Sequence, residues 1–169
     1  AAAPGPRGRP ARAHGDAAGG PRPWASLLEA NVAIMLYEIA KALSNEQLGQ
    51  RKELSVELTK MIEAGLKVSP GQYDAARSLT RICRAMLPQV FKKFDVLLAP
   101  SSVGEAPVGT ATGDPLFNRM WTLLHGPVVH VPVGHGPRGL PIGVTVVGDV
   151  GSDRTTLRAA EWIHARLGE

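Results

Sequence analysis

The chain has 169 residues, enough for one domain, and its 44% hydrophobic and 20% charged residues are typical of a globular protein. No apolar run approaches the roughly 20 residues of a membrane-spanning helix, and the single cysteine, Cys83, excludes an internal disulfide framework. The net charge of +4 is concentrated in residues 1–23, which carry four arginines and one aspartate. Because the rest of the chain is nearly neutral, we expect neither a membrane protein nor a nucleic-acid-binding protein.

Residues 1–23 differ in composition from everything that follows. Seventeen of them are Ala, Gly or Pro, and none is a large apolar residue. Such a segment buries too little surface to offset the entropy of ordering it, so we predict a disordered tail. A secretory signal would need an apolar core, and an organellar transit peptide, the less favoured alternative, would be rich in serine. We therefore expect a cytoplasmic protein whose folded part covers residues 24–169.

Three helices are predicted after this tail. A Ser-x-x-Glu capping box at 26–29 precedes a stripe of apolar residues at spacings of three and four. A second helix is predicted to end where Gly65 takes the left-handed conformation, with the following leucine folding back on the helix. The third begins with Ser-Pro-Gly-Gln at 69–72, in which a serine cap, a first-turn proline and a capping-box glutamine follow in order. Pro88 should kink or restart it, because proline has no amide hydrogen.

The pattern changes after Asp95 to short β-rich runs. We predict a buried strand at 96–99, an irregular loop at 101–115, a short helix at 117–124, and a hairpin-like pair of strands at 128–133 and 142–147. Asp153 should begin a last helix. Its inward side chains are predicted to be Leu157, Ala160, Ile163 and Leu167. Helices and strands in this order indicate an α/β fold.

Several motifs suggest chemistry but are better explained as structure. The glycines at 134–139 match G-x-G-x-x-G, yet no helix can follow them, so they indicate a turn between strands. His130 and His135 have no further ligand nearby that would complete a metal site. The serines at 101–102 lack flanking glycines and are interpreted as surface loop residues, and Cys83 as a small core residue. We therefore assign no catalytic residue, no metal ligand and no cofactor to the chain.

Six motifs then follow one another in a fixed order, and they lie at residues 94–100, 104–107, 112–118, 120–124, 131–134 and 139–144. Together with the helical stretches 34–40 and 69–77, they closely resemble the C-terminal part of the amidase signature family. The resemblance covers roughly residues 24–169. It implies the C-terminal portion of the amidase-signature fold, with a mixed β-sheet flanked by helices.

The resemblance also implies an activity for the parent enzyme. Members of the family hydrolyse C–N bonds in amides, ureas, carbamates and acylated amines with a Ser, a second Ser on a cis peptide bond and a Lys, without metal or cofactor. That machinery belongs to the N-terminal half of the family's proteins, and nothing in this chain resembles it. We therefore expect a C-terminal fragment of an amidase that is inactive alone, with its status as an enzyme left open.

Five residues match positions beside the family's substrate pocket, namely Asp114, Phe117, Asn118, Trp121 and Thr122. The resemblance assigns them to binding a small amide-type substrate of the parent enzyme, although Phe117 and Trp121 are equally explained as core residues at helical spacing. Strands with apolar residues on both faces also predict self-association or a complementary N-terminal amidase half as partner. The alternative is a non-catalytic interaction module that binds a partner chain.

Overall fold

The described residues before the first strand are mainly helical, as predicted. The structure, a computed structural model, describes residues 22–167, so the predicted tail at 1–23 lies outside the described residues except for its last two. The first elements are a 3₁₀ turn at Arg22–Ser26, α1 (Leu27–Ala42), α2 (Ser44–Gly49), a 3₁₀ turn at Arg51–Glu53, α3 (Val56–Gly65) and α4 (Pro70–Phe91).

The helix starts show one correct and one wrong prediction. At α4, Ser69 Oγ accepts a hydrogen bond from the Gln72 N–H (3.2 Å) and Gln72 Oε1 accepts one from the Ser69 N–H (2.8 Å), which confirms the capping box. At α1, Ser26 makes no side-chain cap. The chain already turns as a 3₁₀ helix there and Ser26 has helical dihedrals, so its hydroxyl does not take the cap position.

The prediction for Gly65 is wrong, and of the two effects predicted for Pro88 the restart is excluded. Gly65 is the buried last residue of α3, without a positive φ, and Leu66 is exposed. A Cβ at Gly65 would lie 2.7 Å from the Leu36 carbonyl carbon, so the glycine is needed for the close approach of α3 to α1. Pro88 lies inside α4, which continues to Phe91, so the helix does not restart at the proline.

Three strands form the sheet: β1 (Leu97–Pro100), β2 (Val128–His135) and β3 (Pro141–Val147). They lie in the order β1-β3-β2, and both pairings in the described part are antiparallel, whereas the family resemblance predicts a mixed sheet. The predicted hairpin of the last two strands is confirmed, with a register shift near Gly134. The glycines at 134–139 form the turn between these strands, as the sequence indicates, and the Gly139 N–H donates to Gly136 O (3.0 Å).

Helices cover both faces of this sheet, which confirms the α/β prediction. On one face lie α1, α4 and α5 (Leu116–Leu124), whose core side chains pack with Val147 of β3. On the other face α6 (Asp153–Leu167) packs over β2 and β3. The predicted inner face of α6 is partly wrong, since Ala160 is buried but Leu157 and Leu167 are 54% and 51% exposed.

Candidate functional site

The five predicted pocket residues lie on α5 or just before it. Asp114 Oδ1 accepts a hydrogen bond from the Leu116 N–H (3.0 Å), which starts the helix. Trp121 is 7% exposed and meets Trp24 edge to face, with ring centroids 6.1 Å apart. Trp121 therefore stabilises the core, in agreement with its alternative interpretation as a core residue at helical spacing.

Three of the five residues line one pocket of about 220 Å³ between α5 and β2. Its lining residues are Asn118, Trp121, Thr122, His125, Gly126 and Val128. Asp114 and Phe117 are not among them. The structure thus brings the polar groups of Asn118 and Thr122 beside an apolar wall and adds His125 and Val128, which the sequence analysis did not identify.

His125 ends α5 in the left-handed conformation (φ 61°), which is uncommon for a residue other than glycine. Its Nε2 lies 2.6 Å from Nη2 of Arg84, and Nε of Arg84 donates to Leu123 O (2.6 Å). Burial, and then the Arg84 cation, lower the pKa of His125 below its usual value. At neutral pH the pocket rim therefore carries a neutral imidazole whose Nε2 accepts from Arg84.

A second group of polar side chains adjoins this pocket, and we call it the Ser101 cluster: Ser101, Asn118, His130 and Thr145. Ser101 Oγ lies 2.7 Å from His130 Nδ1 and 2.9 Å from Thr145 Oγ1. Asn118 Nδ2 donates to the Ser101 carbonyl oxygen (2.9 Å), so one residue belongs to both the pocket and the cluster. Thr145 is 2% exposed, whereas His130 is exposed to solvent.

The strand register explains how these residues meet. Thr145 of β3 lies opposite His130 of β2 on one side and Ala99 of β1 on the other, so the three side chains share a face. Ser101 is the next same-face position after Ala99, and its N–H donates to Gly143 O (3.2 Å). A Cβ at Gly143 would lie 2.8 Å from His130 Nε2, so the missing side chain makes room for the imidazole.

The interpretation of Ser101 as a surface loop serine is therefore wrong. Ser101 is half-buried and has a histidine nitrogen within hydrogen-bond distance, whereas Ser102 is exposed and donates only to the nearby Gly104 O (2.6 Å). Polar residues at 130 and 145 inside two β-rich runs are the signal that could have identified the cluster. Cys83 is fully buried, as predicted, and burial raises the pKa of its thiol.

The loop that begins with Ser101 is fastened to the β2–β3 turn by Glu105. Its carboxylate accepts hydrogen bonds from the backbone N–H groups of Arg138 (2.9 Å) and Leu140 (3.0 Å) and from Nε of Arg138 (2.9 Å). The side-chain hydrogen bond from Arg138, together with the two backbone N–H groups, holds the pKa of Glu105 below its usual value. This contact limits the positions that the loop after Ser101 can take.

Among residues 22–167, no three His, Cys, Asp or Glu side chains come together as a metal site would require. Within the same residues, no helix combines the length and apolar character needed to cross a membrane.

Comparison with proteins of known sequence gives consistent relatives, although no family model matches the chain. A glutamyl-tRNA(Gln) amidotransferase subunit from Alkaliphilus metalliredigens is 29% identical over 144 residues, covering 77% of this chain and 29% of its own length. The corresponding protein of Brevibacillus brevis is 30% identical over 154 residues, covering 83% of this chain and 30% of its own length. A fatty acid amide hydrolase of Medicago truncatula is 28% identical over 134 residues, covering 72% of this chain and 22% of its own length. The chain spans less than a third of the length of these relatives.

Solved structures give the same result for the fold. A crystal structure of an amidase superposes with a TM-score of 0.73 at 24% identity, covering 86% of this chain and 36% of that chain. A bacterial aryl acylamidase described as an amidase signature enzyme superposes with a TM-score of 0.60 at 22% identity, covering 79% and 32%. The arrangement of helices and sheet described above is therefore shared with about a third of each of these enzymes.

Proposed function

The chain belongs to the amidase signature family, and from this premise we propose that it forms one wall of the substrate pocket of an amide-hydrolysing enzyme. Its partial coverage of its relatives fits a C-terminal segment of such a protein. The observation that carries the proposal is the pocket in which Asn118, Trp121 and Thr122 meet. The substrate class is a small amide or carbamate, in keeping with the amide hydrolase and aryl acylamidase to which the chain is similar.

The chemistry of the pocket suits an amide that carries an apolar group. The Trp121 indole and the Val128 side chain provide an apolar surface for an acyl or aryl group. The bond from Asn118 Nδ2 to the Ser101 carbonyl fixes the orientation of the Asn118 amide. That orientation leaves Asn118 Oδ1 to accept an N–H from the substrate. In this proposal Asp114 acts indirectly, by starting α5, and Phe117 has no assigned role.

The nucleophile of the parent reaction belongs, in this proposal, to a segment other than residues 22–167, because no stretch here resembles the family's Ser–Ser–Lys machinery. The chain alone is then expected not to turn over amides. The complete site would need a complementary amidase half in addition to this wall. No cofactor is assigned, since the family's reaction needs none.

Binding of a simple aryl amide tests the proposal. Acetanilide added to the 169-residue chain should shift the NMR signals of Asn118 and of the Trp121 indole in a saturable manner. Asn118→Ala should weaken this binding, whereas the matched change Asn45→Ala, at an exposed position of α2, should leave it unaltered. Shifts that are absent, or that are the same in both variants, would contradict the assignment of this pocket.

A second candidate function, a non-catalytic interaction module, is favoured by the uncovered part of the sheet. In the described part of the chain β1 pairs only with β3, and Leu98 on the α6 side is 59% exposed. Leu98, Pro100, Val133, Ile142 and Val144 line an open, largely apolar depression of about 450 Å³. An unpaired strand edge beside apolar side chains favours association with another chain. One structural neighbour, with a TM-score of 0.72, comes from a study of a vestigial protein complex.

Sedimentation at several concentrations distinguishes this candidate. If the depression joins two copies of the chain, Leu98→Asp should shift the protein toward monomer. Leu48→Asp, at an 87% exposed position on α2, should leave the self-association unaltered. A chain that remains monomeric at every concentration would contradict self-association through this face.

A further inference from the structure

The strongest unexplained group of side chains is the pair Ser101 and His130. Ser101 Oγ lies 2.7 Å from His130 Nδ1, within the distance at which a histidine acts as general base toward a serine. We propose that Ser101 accepts an acyl group from activated esters, with His130 as its base. The nucleophile differs from that of the proposed function, which lies elsewhere, but the acyl group would rest on the same pocket wall.

Thr145 supports the direction of proton transfer that activates the serine. Its Oγ1 is 2.9 Å from Ser101 Oγ and is almost completely buried. When the Thr145 hydroxyl donates to Ser101 Oγ, the single proton of Ser101 is directed toward His130 Nδ1. The exposed side of the His130 ring can then pass the proton to solvent.

Two neighbouring features complete the requirements for acyl transfer. Ser102, the residue after the nucleophile, is exposed, and its N–H takes part in no hydrogen bond among residues 22–167. The amide that follows a nucleophile is a common oxyanion donor. The apolar wall of Trp121 and Val128, connected to the cluster through Asn118, can accommodate a small acyl chain.

The reaction balances with an ester and water alone. Ser101 Oγ bonds to the ester carbonyl carbon while its proton moves to His130 Nδ1, and the tetrahedral adduct places its oxyanion toward the Ser102 N–H. The adduct collapses by breaking the C–O bond to the leaving group, which departs as a phenolate or takes the proton from His130. Where a phenolate departs, His130 releases its proton to solvent. A water molecule then attacks the acyl carbonyl carbon while its proton moves to His130. The bond between that carbon and Ser101 Oγ breaks, His130 returns the proton to Oγ, and the carboxylic acid is released.

Incubation of the 169-residue chain with p-nitrophenyl acetate tests the inference. We expect release of p-nitrophenolate and, after proteolysis, one added acetyl group on the peptide that contains Ser101. Ser101→Ala should abolish the adduct, and His130→Gln should slow its formation by about a hundredfold. The matched variants Ser44→Ala and His135→Gln, at exposed positions outside the cluster, should react like the natural chain.

A third variant in the cluster shows whether slower acylation can occur in a chain that is still folded. Thr145→Val keeps the shape of the buried side chain and removes only its hydroxyl, so it should slow acylation without changing the circular dichroism spectrum. Acetylation confined to lysines, an unchanged adduct in Ser101→Ala, or an unchanged rate in folded His130→Gln would each overturn the inference.

Discussion

Replacing Gly65 by alanine tests the close crossing of α1 and α3. A Cβ at this position would lie 2.7 Å from the carbonyl carbon of Leu36, nearer still to its oxygen, and 2.9 Å from the Cβ of Ala40. These atoms belong to α1 and are backbone or the first side-chain carbon, so no flexible group can move aside. A carbon–carbon contact is most favourable at about 3.5 Å or more, so the two helices would have to separate by at least about 0.8 Å.

The stability change follows from two opposing effects. Overpacking of a closely packed site costs about 1–3 kcal/mol, and more where backbone must move. Alanine is favoured over glycine within a helix by about 1 kcal/mol, although the last helical position gains less. Ile62, which is 1% exposed and lies on the same face of α3, would also lose part of its packing against α1. We expect Gly65→Ala to lower the free energy of unfolding by about 1–3 kcal/mol.

Gly71→Ala is the matched control. Gly71 lies in the first turn of α4, and no other atom lies within 4 Å of the position a Cβ would take, so alanine should be neutral or stabilising by up to about 1 kcal/mol. Urea denaturation followed by far-UV circular dichroism measures both variants. If Gly65→Ala were as stable as the natural chain, or lost no more stability than Gly71→Ala, the close crossing would be refuted.

Three further changes test the α4 cap, the Glu105 contact and the space under His130. Ser69→Ala should lower the free energy of unfolding by about 0.5–2 kcal/mol in the same assay, because it removes one half of the capping box. Since the pKa of Glu105 is lowered in the folded state, its contribution is present above the unfolded value of about 4.3 and is lost as pH falls through the lower, folded pKa. The protection factors of the Arg138 and Leu140 amides, which donate to Glu105, should therefore fall below about pH 4, and Glu105→Gln should lack this dependence. Gly143→Ala should displace the His130 imidazole, and also the Val131 carbonyl oxygen 2.6 Å from the added Cβ, and reduce acylation of Ser101 by about a hundredfold. An unchanged rate would contradict the role of this space.

Features determined by local sequence could be predicted. The capping box of Ser69 and Gln72 depends on atoms three residues apart, and the sequence places it correctly. The β-rich runs around Val131 and Val144 predicted the hairpin because β-branched residues and the Gly/Pro segment between the runs are local signals. Ser26 shows the limit of such signals, since the conformation of the preceding residues decided whether its hydroxyl could cap α1.

Features determined by long-range packing could not be predicted. Gly65 suits either a left-handed helix end or a close helix crossing, and only the position of Leu36 on α1 decides between them. Ser101 and His130 are 29 residues apart, and their contact depends on the pairing of two strands with Thr145 between them. A shift of one residue in either register would turn these side chains to the opposite face. The sequence therefore shows polar residues at 130 and 145 inside β-rich runs, but it does not show that His130 meets Ser101.

The Ser101 cluster contains more polar groups than the stability of the sheet requires. A buried hydroxyl without a partner costs about 1–3 kcal/mol, so Thr145 needs a hydrogen-bond partner, and Ser101 already provides one. His130 adds nothing to that requirement, because it is exposed and could be solvated by water in any orientation. Yet Gly143 leaves space for its ring, and the ring is directed at Ser101. An exposed imidazole held in one orientation against a half-buried serine is explained better by reactivity than by packing.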